Sequence, residues 1–280
     1  MARVLTTQNE RDKHRFRCYE IMVMQRLSVI VPCFNEEAMI EDCLASVHFA
    51  DEILVVDSFS TDGTLEIARR GATRVLQHEY VNSAAQKNWA ILQAKHDWVL
   101  IVDSDERVTP ELAAEIQAIL QAPQYDGYWI RRRNFMLGKE IRYGMWRADK
   151  VLRLFRRDLG RYEEKHVHAE IQLPGRVGWC REKLMHHGFR SLGQYLRKVD
   201  RYSTWGALNA RDRGLRGTGW RIVGHSSGSF LKSYLLKRGF LDGVEGLIIA
   251  LMESYMAFLK YAKLYELQHP RPPRKPLELA

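Results

Sequence analysis

The sequence contains little cysteine and no targeting segment, and both absences narrow what the protein can be. Its 280 residues include only four cysteines, and none has the CxxC or other spacing typical of a zinc or redox site. The first 25 residues are basic and polar, without the apolar run of a signal peptide. We therefore expect reduced cysteines and a cytoplasmic protein rather than a disulfide-stapled, secreted one.

Proline is scarce outside the C-terminus, where "HPRPPRKP" holds four of the eight prolines. We expect an extended tail over residues 268–280 and a loose arm over residues 1–25, which show no clear period. A chain that is 46% hydrophobic and 28% charged predicts a packed core between these ends. We expect a main domain over residues 26–190 and a helical extension over residues 191–267.

Acidic residues are also scarce in one part of the chain. Residues 181–240 carry 13 Lys or Arg against three acids, a local net charge of +10 within a chain whose net charge is +9. Such a segment suits nucleic acid, an anionic membrane or a phosphate-bearing substrate, and the alternative is an ordinary solvated face. A nucleic-acid partner would leave the acids described below unexplained, because they repel phosphate, so we expect no nucleic-acid partner.

No apolar run is long enough to cross a membrane. Residues 240–261 are mostly apolar but are interrupted by Asp242, Glu245, Glu253 and Lys260, whereas a spanning helix needs about 20 residues with few or no charges. We expect a helix that lies in the membrane interface, preceded by the basic segment. The alternative is a helical cap whose apolar face packs on the main domain.

The N-terminal half repeats a strand-then-helix pattern. Short apolar runs at 27–32, 52–57, 73–77 and 98–103 alternate with helical stretches at 35–47, 60–71, 81–95 and 109–120. Asn35 and Thr109 stand at capping positions, and Pro110 suits a first helical turn. Strands that are apolar on both faces predict an α/β fold with a parallel sheet covered by helices. In such sheets ligands collect at the carboxyl ends of the strands.

The fourth of these strands runs directly into the acids Asp103, Asp105 and Glu106. Residues two apart in an extended segment project to the same side, so Asp103 and Asp105 together suit a hard divalent cation. Mg²⁺ or Mn²⁺ would complete its shell with diphosphate oxygens and water. The alternative is an ordinary strand end with surface acids.

Other candidate positions each carry two interpretations. Asn35 and Glu36 suit a nucleoside pocket or a plain helix start, and Asp57 suits a nucleobase or a turn. Lys87 suits a phosphate, a sugar or the solvent.

The second half is rich in aromatic residues and arginine. Trp146 suits the face of a sugar and Arg153 suits phosphate, with core packing or a solvated face as alternatives. His166 and His168 are spaced like half a zinc site, but no third ligand is evident. His168 or Glu170 suits a base for an acceptor hydroxyl, and alternating polar residues on a strand are the other explanation.

The order of "SVIVPCFNEE", "ILVVDSFSTDGT", "AAQKNWAI" and "VLIVDSDE" resembles the family 2 glycosyltransferases of GT-A fold. This resemblance is close over residues 27–120. Later stretches, including "LMHHGFRSLGQYLRKVDRYSTWGA", resemble the subgroup of lipopolysaccharide-core β-1,4-glucosyltransferases and extend the similarity over most of residues 27–267. The resemblance therefore implies a GT-A catalytic domain over residues 26–190, with a mostly parallel nucleotide-binding sheet, flanking helices and a C-terminal helical extension.

The resemblance also implies roles for single residues. Asp103 and Asp105 match the metal- and diphosphate-binding DxD motif, and Ser104 between them is assigned to the donor site. Asp57 matches the nucleobase-binding acid. The nucleoside pocket and a basic position near the donor are matched by Pro32, Asn35, Glu36 and Lys87.

Two departures concern the turn after the second strand and the catalytic base. Many relatives have a second Asp where Ser58 stands and Gly where Phe59 stands. The usual His-Glu pair becomes His168-Ala169-Glu170 here, so Glu170 and His168 both remain candidates for the base.

The implied reaction is inverting transfer of a sugar, expected to be glucose, from a UDP-sugar with Mg²⁺ or Mn²⁺ as cofactor. The expected acceptor is a lipid-anchored glycan, with polyprenyl phosphate or a capsule chain as alternatives. The expected location is peripheral, on the inner face of the cytoplasmic membrane.

Overall fold

The computed structural model describes residues 24–163, 170–189 and 191–270. Its first half alternates strands and helices from the first strand to the fourth helix. The elements are β1 (Leu27–Cys33), α1 (Glu37–Ser46), β2 (Glu52–Asp57), α2 (Thr64–Gly71), β3 (Arg74–Gln77), α3 (Ser83–Gln93), β4 (Trp98–Ile101), β5 (Glu106–Arg107) and α4 (Pro110–Gln121).

Every residue of β1, β2 and β4 is buried, as the continuous apolar runs predict. Val29 and Val31 pack into one core cluster, while Ile30 between them packs into a second cluster. Successive side chains of a strand point to opposite faces, so the sheet is covered on both sides. Strands β3, β2, β1 and β4 are parallel neighbours in that order.

The second half extends the sheet with longer, less regular strands. They are β6 (Gly127–Met136), β7 (Lys139–Ile141), β8 (Lys150–Arg156) and β11 (Val177–Phe189), while β9 (Arg161–Tyr162) and β10 (Ile171–Gln172) form a separate small pair. The order is β3-β2-β1-β4-β8-β6-β11-β5, with β7 paired to β6. Six of these nine described strands (β1, β2, β3, β4, β6 and β11) share one direction. The predicted α/β fold with a mostly parallel sheet is confirmed.

Helix starts follow the predicted caps in one case and depart from them in another. Thr109 caps α4 by accepting a hydrogen bond from the Leu112 amide (3.2 Å), and Pro110 is the first helical residue. The prediction that Asn35 caps α1 is wrong, because the helix begins at Glu37. Asn35 instead adopts a left-handed conformation with φ of +54°, and its side-chain oxygen accepts the Thr61 amide at 2.8 Å.

The C-terminal region contains three long helices: α5 (Leu192–Asp212), α6 (Gly219–Leu231) and α7 (Gly243–Gln268). A π-helical turn over Lys232–Leu236 and a 3₁₀ turn over Gly239–Asp242 separate α6 from α7. Within the described residues, no helix combines the length and hydropathy needed to cross a bilayer.

Two of the charges that interrupt the apolar run at 240–261 attach this region to the sheet. The buried Asp242 carboxylate accepts the amides of Arg142 (3.1 Å) and Tyr143 (2.8 Å). Lys139 at the start of β7 donates to the Asp242 carbonyl and pairs with Glu245 at 2.7 Å. These acids therefore hold the start of α7 against the β7 region.

Candidate active site

A cavity of about 1080 Å³ lies between the carboxyl ends of the central strands and helix α5. It brings together most of the residues that the sequence singles out. Those that line it are Pro32, Glu36, Lys87, Asp103, Ser104, Asp105, Arg153 and Glu170. Asn35 and Asp57 are not among its lining residues, and His168 lies outside the described residues.

Asp103 follows the end of β4 and is held from two sides. Lys87, on the buried face of α3, lies 2.7 Å from its Oδ1, and Arg153 of β8 pairs with its Oδ2. Burial alone would raise the pKa of Asp103, but Arg153 and Lys87 hold that pKa well below its usual range. Asp103 is therefore a carboxylate fixed in its ionised state.

Glu106, the third acid of the cluster, is fully buried and holds the chain after β4 in place. One of its oxygens accepts the Asp103 amide at 2.9 Å, and the other lies 3.1 Å from Arg132 and 3.5 Å from Arg153. Arg132 in turn makes a two-pronged pair with Asp149, both hydrogen bonds measuring 2.9 Å. This network fixes the chain after β4 and so positions the acids on either side of Ser104.

Asp105 has a looser partner. Its carboxylate lies 3.5 Å from Nε2 of His186, whose Nδ1 lies 2.6 Å from the Asn134 side-chain oxygen. Burial tends to raise the pKa of Asp105, yet the hydrogen bond and charge of His186 leave this pKa below its ordinary value. His186 and Asn134 are paired across β11 and β6. His186 shows no metal spacing in the sequence, and the pairing of β11 with β5, in which His186 lies opposite Glu106, brings it to the acids.

The described residues contain no group of three or more His, Cys, Asp or Glu side chains arranged to hold a metal ion. However, Mg²⁺ and similar ions are usually bound by one or two carboxylates together with substrate phosphates. Asp105 and His186 both line the cavity and offer oxygen and nitrogen ligands. Because both oxygens of Asp103 face cations, Asp105 is the carboxylate that fits a divalent ion best.

Helix α5 forms the opposite wall of the cavity. Ser191 caps this helix by accepting the Gln194 amide at 3.2 Å, and Arg197, Lys198 and Arg201 then line the cavity. Burial lowers the pKa of Lys198, although Asp105 opposes this effect. The basic segment predicted to face a membrane or acceptor thus contributes three cations to the cavity.

Asp57 and Asn35 hold the turn that follows β2, outside the lining of the cavity. The Asp57 carboxylate is fully buried and accepts hydrogen bonds from the Ser60 hydroxyl (2.5 Å) and the Gln77 amide group (3.0 Å). Their direct contact with a nucleoside stays a prediction.

Phe59 in the same turn has φ of +59°, a conformation that favours glycine. This conformation explains why glycine is expected at this position from the resemblance.

Of the two other aromatic and basic candidates, Trp146 lies away from the cavity and Arg153 lines it. Trp146 packs against Phe189 and Tyr195, with ring centroids 5.6 and 6.1 Å away, so core packing rather than sugar stacking explains it. Arg153 is used by Asp103 and Glu106 within the protein. Trp129 and Trp205, which sequence reasoning missed, are the tryptophans that line the cavity.

Comparison with known proteins gives consistent matches over most of the chain. The model of Glycosyl transferase family 2 matches residues 28–181. The lipopolysaccharide core biosynthesis glycosyltransferase LpsC of Rhizobium meliloti (strain 1021) is 30% identical over 248 residues, which cover 86% of this chain and 92% of LpsC. An uncharacterized glycosyltransferase of Rickettsia typhi is 26% identical over 264 residues, covering 87% and 88% of the two chains. A crystal structure of S. aureus TarS 1–349 aligns with a TM-score of 0.45 and 18% identity, covering 87% of this chain and 92% of that TarS 1–349 chain.

Proposed function

Because the chain belongs to glycosyl transferase family 2, we propose that it transfers a sugar, expected to be glucose, from a UDP-sugar to a lipid-anchored glycan. The fold is of GT-A type, and the proposed donor site is the cavity at the carboxyl ends of the parallel strands. The observation that carries the proposal is that one cavity joins Asp103 and Asp105 with the cations of α5. Acids alone would repel a diphosphate, and cations alone would bind any anion.

The metal dependence of this reaction is part of the proposal. Asp105 is the main ligand proposed for Mg²⁺ or Mn²⁺, with His186 and Asp103 beside it. When bound, such an ion neutralises negative charge on a departing diphosphate. Lys87 and Arg153 keep Asp103 ionised and in place.

The other residues that line the cavity are proposed to bind the nucleoside and the diphosphate of the donor. Pro32, Glu36 and Ser104 line the cavity and are the residues proposed to bind the nucleoside, while Lys198 and its neighbours on α5 are proposed to bind the diphosphate. A lysine or arginine that contacts phosphate makes a charge-assisted hydrogen bond, which is among the stronger kinds in proteins.

Glu170 is the proposed general base. It is exposed at the cavity wall, and its backbone carbonyl accepts the Glu163 amide at 3.1 Å. Its carboxylate takes the proton of the acceptor hydroxyl while that oxygen forms a bond to C1 of the sugar. The bond between C1 and the diphosphate oxygen breaks at the opposite face, so the anomeric configuration inverts and UDP leaves.

A lipid-anchored acceptor such as lipopolysaccharide core is supported by the similarity to LpsC, whose name places it in core biosynthesis. A peripheral location on the inner face of the cytoplasmic membrane would bring the enzyme to that acceptor. Transfer of labelled sugar to extracted core, compared with polyprenyl phosphate and capsule chains, tests this part of the proposal.

The central test is titration calorimetry of UDP with and without Mn²⁺. We expect Mn²⁺-dependent binding in the wild type and loss of that dependence in Asp105→Ala. The exposed acid Glu41, which lies outside the cavity, provides the control Glu41→Ala. UDP-glucose, UDP-galactose and UDP-N-acetylglucosamine would then identify the donor. Absence of UDP binding under both conditions would contradict the proposal.

A further inference from the structure

Helices α6 and α7 leave several large apolar side chains in solvent. Trp220 is 90% exposed, Val244 is 68% exposed and Val223 is 61% exposed. None of them lines the cavity, and α6 has no buried residue in its whole length. Single exposed apolar residues are ordinary, but a contiguous set marks a surface that binds something.

These side chains form one stripe on each helix. Neighbouring members of the longer stripe are three or four positions apart, which is the spacing of a single helix face. The stripes consist of Trp220, Val223 and Leu231 on α6 and of Val244, Leu247, Leu251, Tyr255 and Phe258 on α7. We call these eight residues the apolar face.

The two stripes lie on the same side of the helix pair. The helices run antiparallel: His225 stacks on Tyr261 at 4.3 Å, and Ser254 donates to the Ser226 carbonyl at 2.8 Å. At about 100° per residue, the α7 stripe is rotated by about 70° from these contact positions and the α6 stripe by about 155° in the same sense. In an antiparallel pair, rotation in the same sense turns both stripes toward one side, so the α7 stripe lies on that side and the α6 stripe lies at its outer edge, away from α7.

The charge around the apolar face favours one kind of partner. Residues 213–241 contain six Lys or Arg and no Asp or Glu. Apolar side chains interleaved with cations are typical of helices that lie on anionic bilayers. A second copy of the chain would bring a like-charged segment against this one, so charge complementarity favours lipid over self-association.

We propose that the apolar face of α6 and α7 docks on the surface of an anionic lipid bilayer. The docking surface thus lies partly before the run at 240–261 that the sequence indicated. This surface would bring the enzyme to a lipid-anchored acceptor. Only this link to the acceptor rests on the proposed function, because lipid binding itself is inferred from the apolar face and the cations around it.

The test is co-sedimentation of the full chain with vesicles. We expect binding to vesicles of phosphatidylglycerol and phosphatidylethanolamine, and little binding to phosphatidylcholine alone. The double variant Trp220→Ser/Val244→Ser should weaken binding by about tenfold or more, since each large apolar side chain contributes on this scale. Its matched control is Leu92→Ser on α3, where the side chain is 61% exposed.

A separate variant tests the contribution of the cations to vesicle binding. Arg221→Gln/Lys237→Gln should weaken binding to anionic vesicles, by about fivefold for each lost cation, and raised salt should do the same. Arg69→Gln/Lys95→Gln removes two cations from the opposite end of the chain and should leave vesicle binding unchanged.

UDP titration on every variant separates this inference from the proposed function, because none of the three double variants touches the cavity. Unchanged UDP binding with lost vesicle binding supports the docking surface. Equal binding of wild type and Trp220→Ser/Val244→Ser would overturn it, as would equal binding to neutral vesicles. A dimer in light scattering that this variant dissociates, without vesicle binding, would assign the face to a second copy instead.

Discussion

The two walls of the cavity carry charge in different ways. On the strand wall, Lys87, Arg132 and Arg153 are all paired with carboxylates of the protein. On the α5 wall, Arg197, Lys198 and Arg201 have no carboxylate within 4.0 Å among the described residues. Of the two acids on this helix, Asp200 pairs with Lys263 of α7 at 2.6 Å and Asp212 pairs with Arg211 at 3.1 Å.

This difference separates positioning from attraction. Charges that satisfy one another fix geometry but produce little external field, whereas unpaired cations in a cleft concentrate anionic ligands. The strand wall is thus suited to hold Asp103 and Asp105 in place, and the α5 wall is suited to attract the diphosphate of the proposed donor. Substitutions on the strand wall should therefore lower the free energy of unfolding, whereas substitutions on the α5 wall should weaken UDP binding.

The largest effect is expected on the strand wall. Arg153→Met leaves the half-buried Asp103 and the fully buried Glu106 with one fewer cation, and breaking a buried pair costs about 3–5 kcal/mol of unfolding free energy. Because Lys87 and Arg132 remain, we expect a loss of about 3 kcal/mol. Urea unfolding at neutral pH measures this loss.

Arg156→Met is the matched control for that substitution. Arg156 lies three residues further along β8, is half exposed, and pairs with the exposed Asp158 at 3.2 Å. Its loss should cost no more than about 1 kcal/mol. Similar costs for the two variants would show that the strand-wall network does not stabilise the fold, and the comparison of the walls would fail.

Most of the strand wall could be predicted from sequence because its signals are local. The continuous apolar runs gave the parallel strands, and Asp103 and Asp105 directly follow one of them. Thr109 and Pro110 likewise marked the start of α4. Periodicity and capping depend on neighbouring residues, so a single sequence carries them.

The partners of those acids could not be predicted, because they depend on long-range pairing. Arg153 reaches Asp103 only through the antiparallel pairing of β8 with β4, and His186 reaches Asp105 through β11. Lys198 looked like one more cation in a basic segment until α5 was placed over the strand ends. These residues could not be predicted because they lie far from Asp103 and Asp105 in the sequence, although their chemistry suits the site.

A moderate effect is expected on the α5 wall from Lys198. Lys198→Met should leave stability nearly unchanged but weaken UDP binding by about tenfold, since a hydrogen bond to a charged group contributes roughly 1.5–3 kcal/mol. The exposed Lys95, outside the cavity, gives the control Lys95→Met. Unweakened UDP binding in Lys198→Met would remove this residue from the donor site.

The same residue predicts a pH dependence. Burial lowers the pKa of Lys198 from its ordinary value of 10.5, so the ammonium loses its proton at a lower pH than a solvent-exposed lysine does. UDP affinity should fall as pH rises through that lowered value, below pH 10.5. Lys198→Arg should keep its affinity over this range, because a guanidinium stays charged. Identical alkaline profiles for the wild type and Lys198→Arg would show that another group controls the decline.

The smallest effect is expected from Arg197, the exposed neighbour of Lys198 on the same wall. In solvent its charge acts on the donor mainly through the long-range field, which is screened beyond about 10 Å at 0.1 M salt. Arg197→Gln should therefore weaken UDP binding by about twofold at low ionic strength and not measurably at 1 M salt. The loss in Lys198→Met should persist at high salt, because that lysine is largely enclosed and screened less. UDP titrations of both variants across ionic strength make this distinction. If the two losses declined with salt in parallel, both residues would act only through the field, and α5 would attract the donor without contacting it.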